Sequence, residues 1–162
     1  MPTRKIAQIV FQNPDSSLNP RKTIGDLICR PLIHFGITHA SDTLQKAKNL
    51  LDLVQLPHHY LDRYAHQMSG GEKQRVVIAI ALATNPKFIV CDEPVSALDV
   101  SVQAAIVNLL TELRDRLNVA YLFISHDISV VAHLCDRIAV MHAGKIVELG
   151  FTNQIINSPQ NN

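Results

Sequence analysis

Apolar residues change their spacing several times along the chain, and each change predicts an element. Residues 6–11 form a β-branched apolar run that stops at Gln12-Asn13-Pro14, where proline removes a backbone donor; a strand ending in a loop is predicted. The loop is read through Pro20. Thr23 can then cap a helix running toward His34, interrupted or bent near Pro31. Ser41 or Asp42 can cap the next helix, whose Leu44, Ala47, Leu50, Leu51 and Val54 recur at three- and four-residue steps and give it one apolar face. After the Leu56-Pro57 break a short helical piece leads to Met68-Ser69-Gly70-Gly71. A helix rich in Val, Ile, Ala and Leu, buried on most sides, then runs to Thr84 before Asn85-Pro86 stops it.

From Lys87 strand and helix alternate: 88–91 as strand, 101–117 as helix, 119–125 as strand and 128–134 as helix. Such alternation predicts an α/β fold with a parallel sheet covered by helices. The last part differs, because 137–141 and 145–149 flank a turn at Ala143-Gly144 and read as two antiparallel strands. No internal repeat is present.

At 162 residues the chain has the length of one ordinary domain, and 47% apolar against 18% charged residues place it with folded proteins rather than disordered ones. A net charge of +1 supplies no basic field to gather nucleic acid. Cys29, Cys91 and Cys135 are far apart and without C-x-x-C spacing, which suggests neither a disulfide framework nor a zinc site and fits a reducing cytosol. The longest apolar stretch, 76–83, is far shorter than the roughly 20 residues that span a bilayer. The basic start Met-Pro-Thr-Arg-Lys has no signal-peptide core behind it.

Two segments carry chemistry. Phe88-Ile89-Val90-Cys91-Asp92-Glu93-Pro94 is an apolar strand delivering adjacent acids at its carboxyl end, where ligands sit in open α/β sheets. One acid can hold a metal through water while its neighbour polarises an attacking water, as phosphoryl transfer needs; two solvated acids in a turn would read the same way. Ser69-Gly70-Gly71-Glu72-Lys73-Gln74-Arg75 opens a helix, so free backbone amides and the positive end of the dipole favour an anion, and paired glycines would let it come close. Taken alone, the segment equally fits a plain helix start capped by Ser69.

Together these segments resemble the ATP-binding-cassette (ABC) family, over almost the whole chain and in the family's order. Gln12 matches the Q-loop glutamine, 69–75 the signature motif, 88–93 the Walker B strand, Ser96-Ala97-Leu98-Asp99 the D-loop, and His126 the switch histidine. The wording around Phe11-Gln12-Asn13-Pro14 and Cys91-Asp92-Glu93-Pro94 is similar to the oligopeptide, dipeptide and nickel importer group, with antimicrobial-peptide transport in the same neighbourhood. The resemblance implies a partial P-loop NTPase (RecA-like) core with an inserted helical subdomain: 1–12 the Q-loop strand, 13–67 the helical subdomain, 68–84 the signature helix, 85–150 the later half of the core and 151–162 a tail. It implies ATP and Mg²⁺ as cofactors, with Asp92 and Gln12 at the metal, Glu93 as general base, His126 at the γ-phosphate and Gln12 sensing it. Ser69, Gly70, Gly71 and Glu72 would face ATP held by an opposite subunit, and Asp99 would couple the two sites. The implied partners are a second ABC ATPase subunit and two transmembrane permease subunits, which alone bring the chain to the cytoplasmic face of the bacterial inner membrane.

The pattern also departs from the family. No G-x-x-x-x-G-K-[ST] occurs in the 162 residues. The resemblance therefore implies a chain that begins after the phosphate-binding loop and the adenine-stacking aromatic, with the strand of that loop belonging between 119–125 and 137–141. Such a chain is expected to be marginal alone, unable to hydrolyse ATP unaided, and otherwise a non-catalytic partner lending its signature motif or a decayed remnant. It also stops before the His-Pro-Tyr-Thr element common in the peptide-importer group. Glu72 stands where the signature usually has glutamine, adding a charge that would weaken ATP capture. The remaining histidines, His34, His39, His58, His59, His66, His133 and His142, show no H-x-x-x-H pair and are read as loop or surface residues.

Overall fold

The apolar run Phe88–Asp92 forms the middle strand of a three-stranded parallel sheet in the computed structural model, which describes residues 6–159. The basic start at 1–5 and the end of the tail at 160–162 lie outside the described residues. Strand β1 (Ala7–Val10) lies on one side of β2 (Phe88–Asp92), with Ala7 opposite Phe88 and Val10 opposite Cys91. On the other side is β3 (Ala120–Ile124), with Asp92 opposite Ile124. All three carboxyl ends therefore point the same way, and Gln12 and Glu93 leave the sheet beside each other.

The chain between β1 and β2 is helical. α1 (Pro14–Ser17) is one turn where a loop was expected: Asn13 Oδ1 accepts from Asp15 N at 2.9 Å, and Pro14 sits at the first helical position, where its missing N–H costs nothing. α2 (Ile24–His34) starts at a reciprocal cap between Thr23 and Asp26 and continues through Pro31 rather than breaking there, because its Ile24, Ile28 and Leu32 stripe is fully buried and packing outweighs one lost hydrogen bond. In α3 (Thr43–Leu53) the buried stripe is Thr43, Ala47, Leu50 and Leu51. Leu44, expected on that stripe, is exposed, and Asp42 precedes the helix without a side-chain cap. Two 3-10 turns, His58–Asp62 and Ala65–Gln67, lead to α4 (Gly70–Leu82), which packs against β1, α1, α2 and α3 and buries Val76, Ile78 and Ala79.

α5 (Val100–Leu117) is capped by Asp99 and ends at Asn118, whose left-handed φ of 52° suits asparagine better than a β-branched residue. In β3, Tyr121 and Phe123 turn inward, while Leu122 and Ile124, expected to be covered on both faces, are exposed. The second edge of β3 pairs with no strand among the described residues.

The described residues divide into two compact units between Ile124 and Ser125. The second contains α6 (Ile128–Leu134), an antiparallel pair β4 (Arg137–His142) and β5 (Lys145–Phe151), and α7 (Thr152–Asn157). Ala143 and Gly144 both have positive φ, the pairing that a two-residue hairpin turn demands. α7 lies within the stretch 151–162 that was expected as a tail. Gln154 Oε1 accepts from Phe151 N, and Ile155 is buried together with Leu134 and Ile138.

Candidate nucleotide site

At the carboxyl end of β2 the chain turns abruptly at Glu93, whose φ is 45°. A side-chain-bearing residue in that region is uncommon and costs on the order of 1–3 kcal/mol unless its surroundings hold it. Here Glu93 N still donates to Ile124 O at 3.0 Å, extending the pairing with β3 by one bond. Gln12, two residues beyond β1, reaches across: its Nε2 donates to Glu93 Oε2 and to Ser96 Oγ, each at 3.0 Å. Ser96 Oγ in turn donates to Glu93 O at 3.1 Å. The register of β1 on β2 thus brings together residues 81 positions apart, with Asp92 as the last residue of the strand beside them.

The second cluster is the start of α4. Ser69 Oγ accepts from Glu72 N at 3.3 Å and Glu72 Oε2 accepts from Ser69 N at 2.8 Å, a reciprocal cap that satisfies two first-turn donors. The other carboxylate oxygen of Glu72 accepts from Tyr60 Oη at 2.6 Å. Hydrogen bonds from Tyr60, and then from the Ser69 amide, favour the charged form and hold the Glu72 carboxyl below its usual range; the same contact raises the Tyr60 hydroxyl above its own. Arg63 lies over the Tyr60 ring, 4.1 Å from its centre. The extra charge of Glu72 is therefore already bonded on both oxygens within the cap.

Paired glycines were expected to admit an anion, and the structure shows what else they admit. A Cβ on Gly70 would lie 3.1 Å from Leu98 Cδ2, and one on Gly71 only 2.5 Å from Val102 Cγ1. The start of α4 is thus pressed against the start of α5. There Asp99 Oδ1 accepts from Ser101 Oγ at 2.6 Å and from Val102 N at 3.0 Å. Those bonds, Ser101 first, hold the Asp99 carboxyl below its usual range. Residues 96–99 join the clusters: Ser96 bonds Gln12, and Leu98 packs on Gly70. A further tie, Lys73 Nζ to Asp15 Oδ1 at 2.7 Å, connects α4 to the segment after Gln12. His126 lies in the second unit, in the turn where Ser125 Oγ accepts from Asp127 N and Asp127 caps α6.

Residues 2–96 match the model of the ABC transporter family. This chain belongs to that family. The oligopeptide transport ATP-binding protein OppF of Lactococcus lactis subsp. lactis is 51% identical over 156 residues, which are 96% of this chain and 49% of OppF. The chain spans about half the length of the curated relatives it matches. Among solved structures, the Clostridium perfringens cbiO1 component of the cbiONQ ABC transporter superposes with a TM-score of 0.82 at 29% identity, covering 96% of this chain and 61% of that one. A dimeric ATP-binding cassette in a post-hydrolysis state, bound to ADP and Pi, gives 0.78 at 30% identity, covering 92% and 64%.

For an ABC chain the fold is then α/β: part of a P-loop NTPase core, with helices inserted between β1 and β2. Its donor set suits a cation that arrives with nucleotide rather than a resident one. Asp92 and an amide oxygen of Gln12 are too few for a protein-only cage, and no cluster of three His, Cys, Asp or Glu occurs among the described residues. Mg²⁺ characteristically uses one or two carboxylates, water and substrate phosphates. Tyr60, Val102 and the Asp15–Lys73 pair were not foreseen. Tyr60 is 12 residues from Glu72 across two 3-10 turns, and Val102 is 31 residues from Gly71, so no periodicity links them.

Proposed function

We propose that this chain is the carboxylate- and signature-bearing part of an ATP-binding subunit that drives peptide import at the cytoplasmic face of a bacterial inner membrane. The observation that carries the reading is the bonding of Gln12 to Glu93 and Ser96 at the end of β2. The peptide class rests on the likeness to OppF. With Nε2 used twice, Gln12 keeps Oε1 to face Mg²⁺ beside Asp92. A bound Mg²⁺ would neutralise charge on the phosphates and Glu93 would accept the proton of an attacking water; the γ-phosphate role of His126 rests on its match to the family's switch histidine.

The start of α4 serves the opposite site. Ser69 Oγ accepts from Glu72 N and its hydroxyl lies beside the Glu72 carboxylate, from which it would turn to a bound phosphate, and the amides of Gly70 and Gly71 have no intrahelical acceptor. These donors suit the γ-phosphate of ATP held by a second subunit. Asp99, one turn away through the Gly71–Val102 contact, couples the two sites. In this reading residues 13–67 form the helical subdomain, 68–84 the signature helix and 85–150 the later core. The segment from Gln12 to Pro31 in the helical subdomain is the part proposed to face the permease subunits.

A cassette joining the amino-terminal half of OppF to residues 6–162 tests the assignment. Glu93→Gln or His126→Ala should lower ATP turnover by about 100-fold or more while nucleotide binding is kept, the size expected for loss of an acid–base group. Near-normal turnover in either variant would show that these are the wrong residues.

A further inference from the structure

An acid at the phosphate-facing end of a helix opposes the anion that the helix end attracts. Glu72 is such an acid, three residues after Ser69, and the structure shows how it is kept in place. Its Oε2 is bonded to Ser69 N at 2.8 Å and its Oε1 to Tyr60 Oη at 2.6 Å. Tyr60 itself is largely buried in the 3-10 turn His58–Asp62, with Arg63 stacked on its ring at 4.1 Å. An O–H to carboxylate bond of this length is charge-assisted and strong. We propose that Tyr60 is a positioning residue for the signature motif: its hydroxyl ties the Glu72 carboxylate down into the cap, leaving the Gly70 and Gly71 amides to bind phosphate.

The proposal rests on the reading that the start of α4 binds phosphate, and it adds a residue outside the motif that makes an acidic signature workable. The groups facing the Glu72 carboxyl are the Tyr60 hydroxyl, the Ser69 amide and hydroxyl, and the Arg63 guanidinium. Its lowered pKa agrees with a carboxylate held charged by hydrogen bonds rather than swinging free. Without the Tyr60 hydroxyl the charge remains but one of its two anchors is lost, and phosphate meets a mobile anion. With glutamine at 72 there is no charge to restrain, so the hydroxyl matters little.

The test uses the chain itself and inorganic tripolyphosphate as probe, read through the backbone amide signals of 69–72. Tyr60→Phe should raise the titration midpoint about tenfold, the low end for a bond to a charged group. Glu72→Gln should lower the midpoint, and Tyr60→Phe added to Glu72→Gln should change it by less than about twofold, the signature of a coupled pair. A merely structural tyrosine would shift the midpoint equally in both backgrounds, or in neither, and either result overturns the proposal. The carboxyl ¹³C signal of Glu72 gives a second measurement, since Tyr60→Phe should raise its titration midpoint; an unchanged midpoint also overturns the proposal. If tripolyphosphate leaves the 69–72 amides of the unsubstituted chain unmoved, or moves them equally in Ser69→Ala, the phosphate-binding reading fails and the role of Tyr60 fails with it.

Discussion

Replacing Gly71 with alanine should unfold the chain at a lower temperature, and removing one methyl-bearing side chain on another helix should reverse the effect. The added Cβ would sit 2.5 Å from Val102 Cγ1, about 1–1.5 Å inside the usual carbon contact of roughly 3.5–4.0 Å. Valine in a helix is held to one χ1 rotamer, so relief must come from moving the first turn of α5 and loosening its Asp99 cap. Overpacking of this kind costs about 1–3 kcal/mol. Alanine's better helix propensity returns up to about 1 kcal/mol. A net loss of about 1–2 kcal/mol corresponds, for a chain of this size, to a fall in Tm of roughly 3–6 °C. Gly70→Ala meets only the movable tip of Leu98 at 3.1 Å and should leave Tm unchanged or slightly raised. Circular dichroism melts of the two alanine variants, Val102→Ala, and Gly71→Ala with Val102→Ala provide the comparison. Equal Tm for the two glycine variants, or no recovery in the double variant, would refute the packing explanation.

The isolated chain should bind MgATP no tighter than the millimolar range, because the lysine and backbone cradle for the β- and γ-phosphates are not among its residues; micromolar binding by calorimetry, lost in Asp92→Ala, would contradict this. The Glu72 carboxyl is lowered by folding, so its stabilisation is present above the ordinary carboxylate range and lost as pH falls through the folded value. Glu72→Gln should accordingly lower stability to urea at pH 7 and converge with the unsubstituted chain only as pH falls through the folded value, where the carboxyl becomes protonated in both states; parallel curves would count against the Tyr60 and Ser69 bonds. Asp15→Asn should cost only about 0.2–1 kcal/mol and lose that effect in high salt, since Asp15 is well exposed. A larger, salt-independent loss would mean that Lys73 has no alternative partner in the folded chain.

Elements whose information is local were legible in the sequence. The apolar run before Asp92 and Glu93, the Thr23 and Ser69 caps and the Ala143-Gly144 turn each place their own element. The parallel pairing of β2 and β3 followed from the alternation after Lys87, whereas β1 was legible as a strand but not in its register beside β2. Failures lie where packing overrules local preference. Pro31 stays inside α2 because the Ile24–Ile28–Leu32 stripe holds it, and Leu44 turns outward while Thr43 turns in. At the candidate site, motif order named Gln12 and Glu93, but the sequence does not show that one amide nitrogen serves both Glu93 and Ser96. Nor does it show that the signature glycines make room for Leu98 and Val102. Glu72 was legible as a charge, but the tyrosine that engages it is reached only through the fold.

The central claim is that this chain offers the start of α4 to ATP held by a second cassette. Sedimentation of the chain with full-length OppF, made unable to hydrolyse, measures it most directly. MgATP should drive a one-to-one complex that ADP does not, and Ser69→Ala should weaken that complex by about tenfold, the order expected for one bond to a charged phosphate. A complex that forms equally without nucleotide, or one indifferent to Ser69→Ala, would contradict the account.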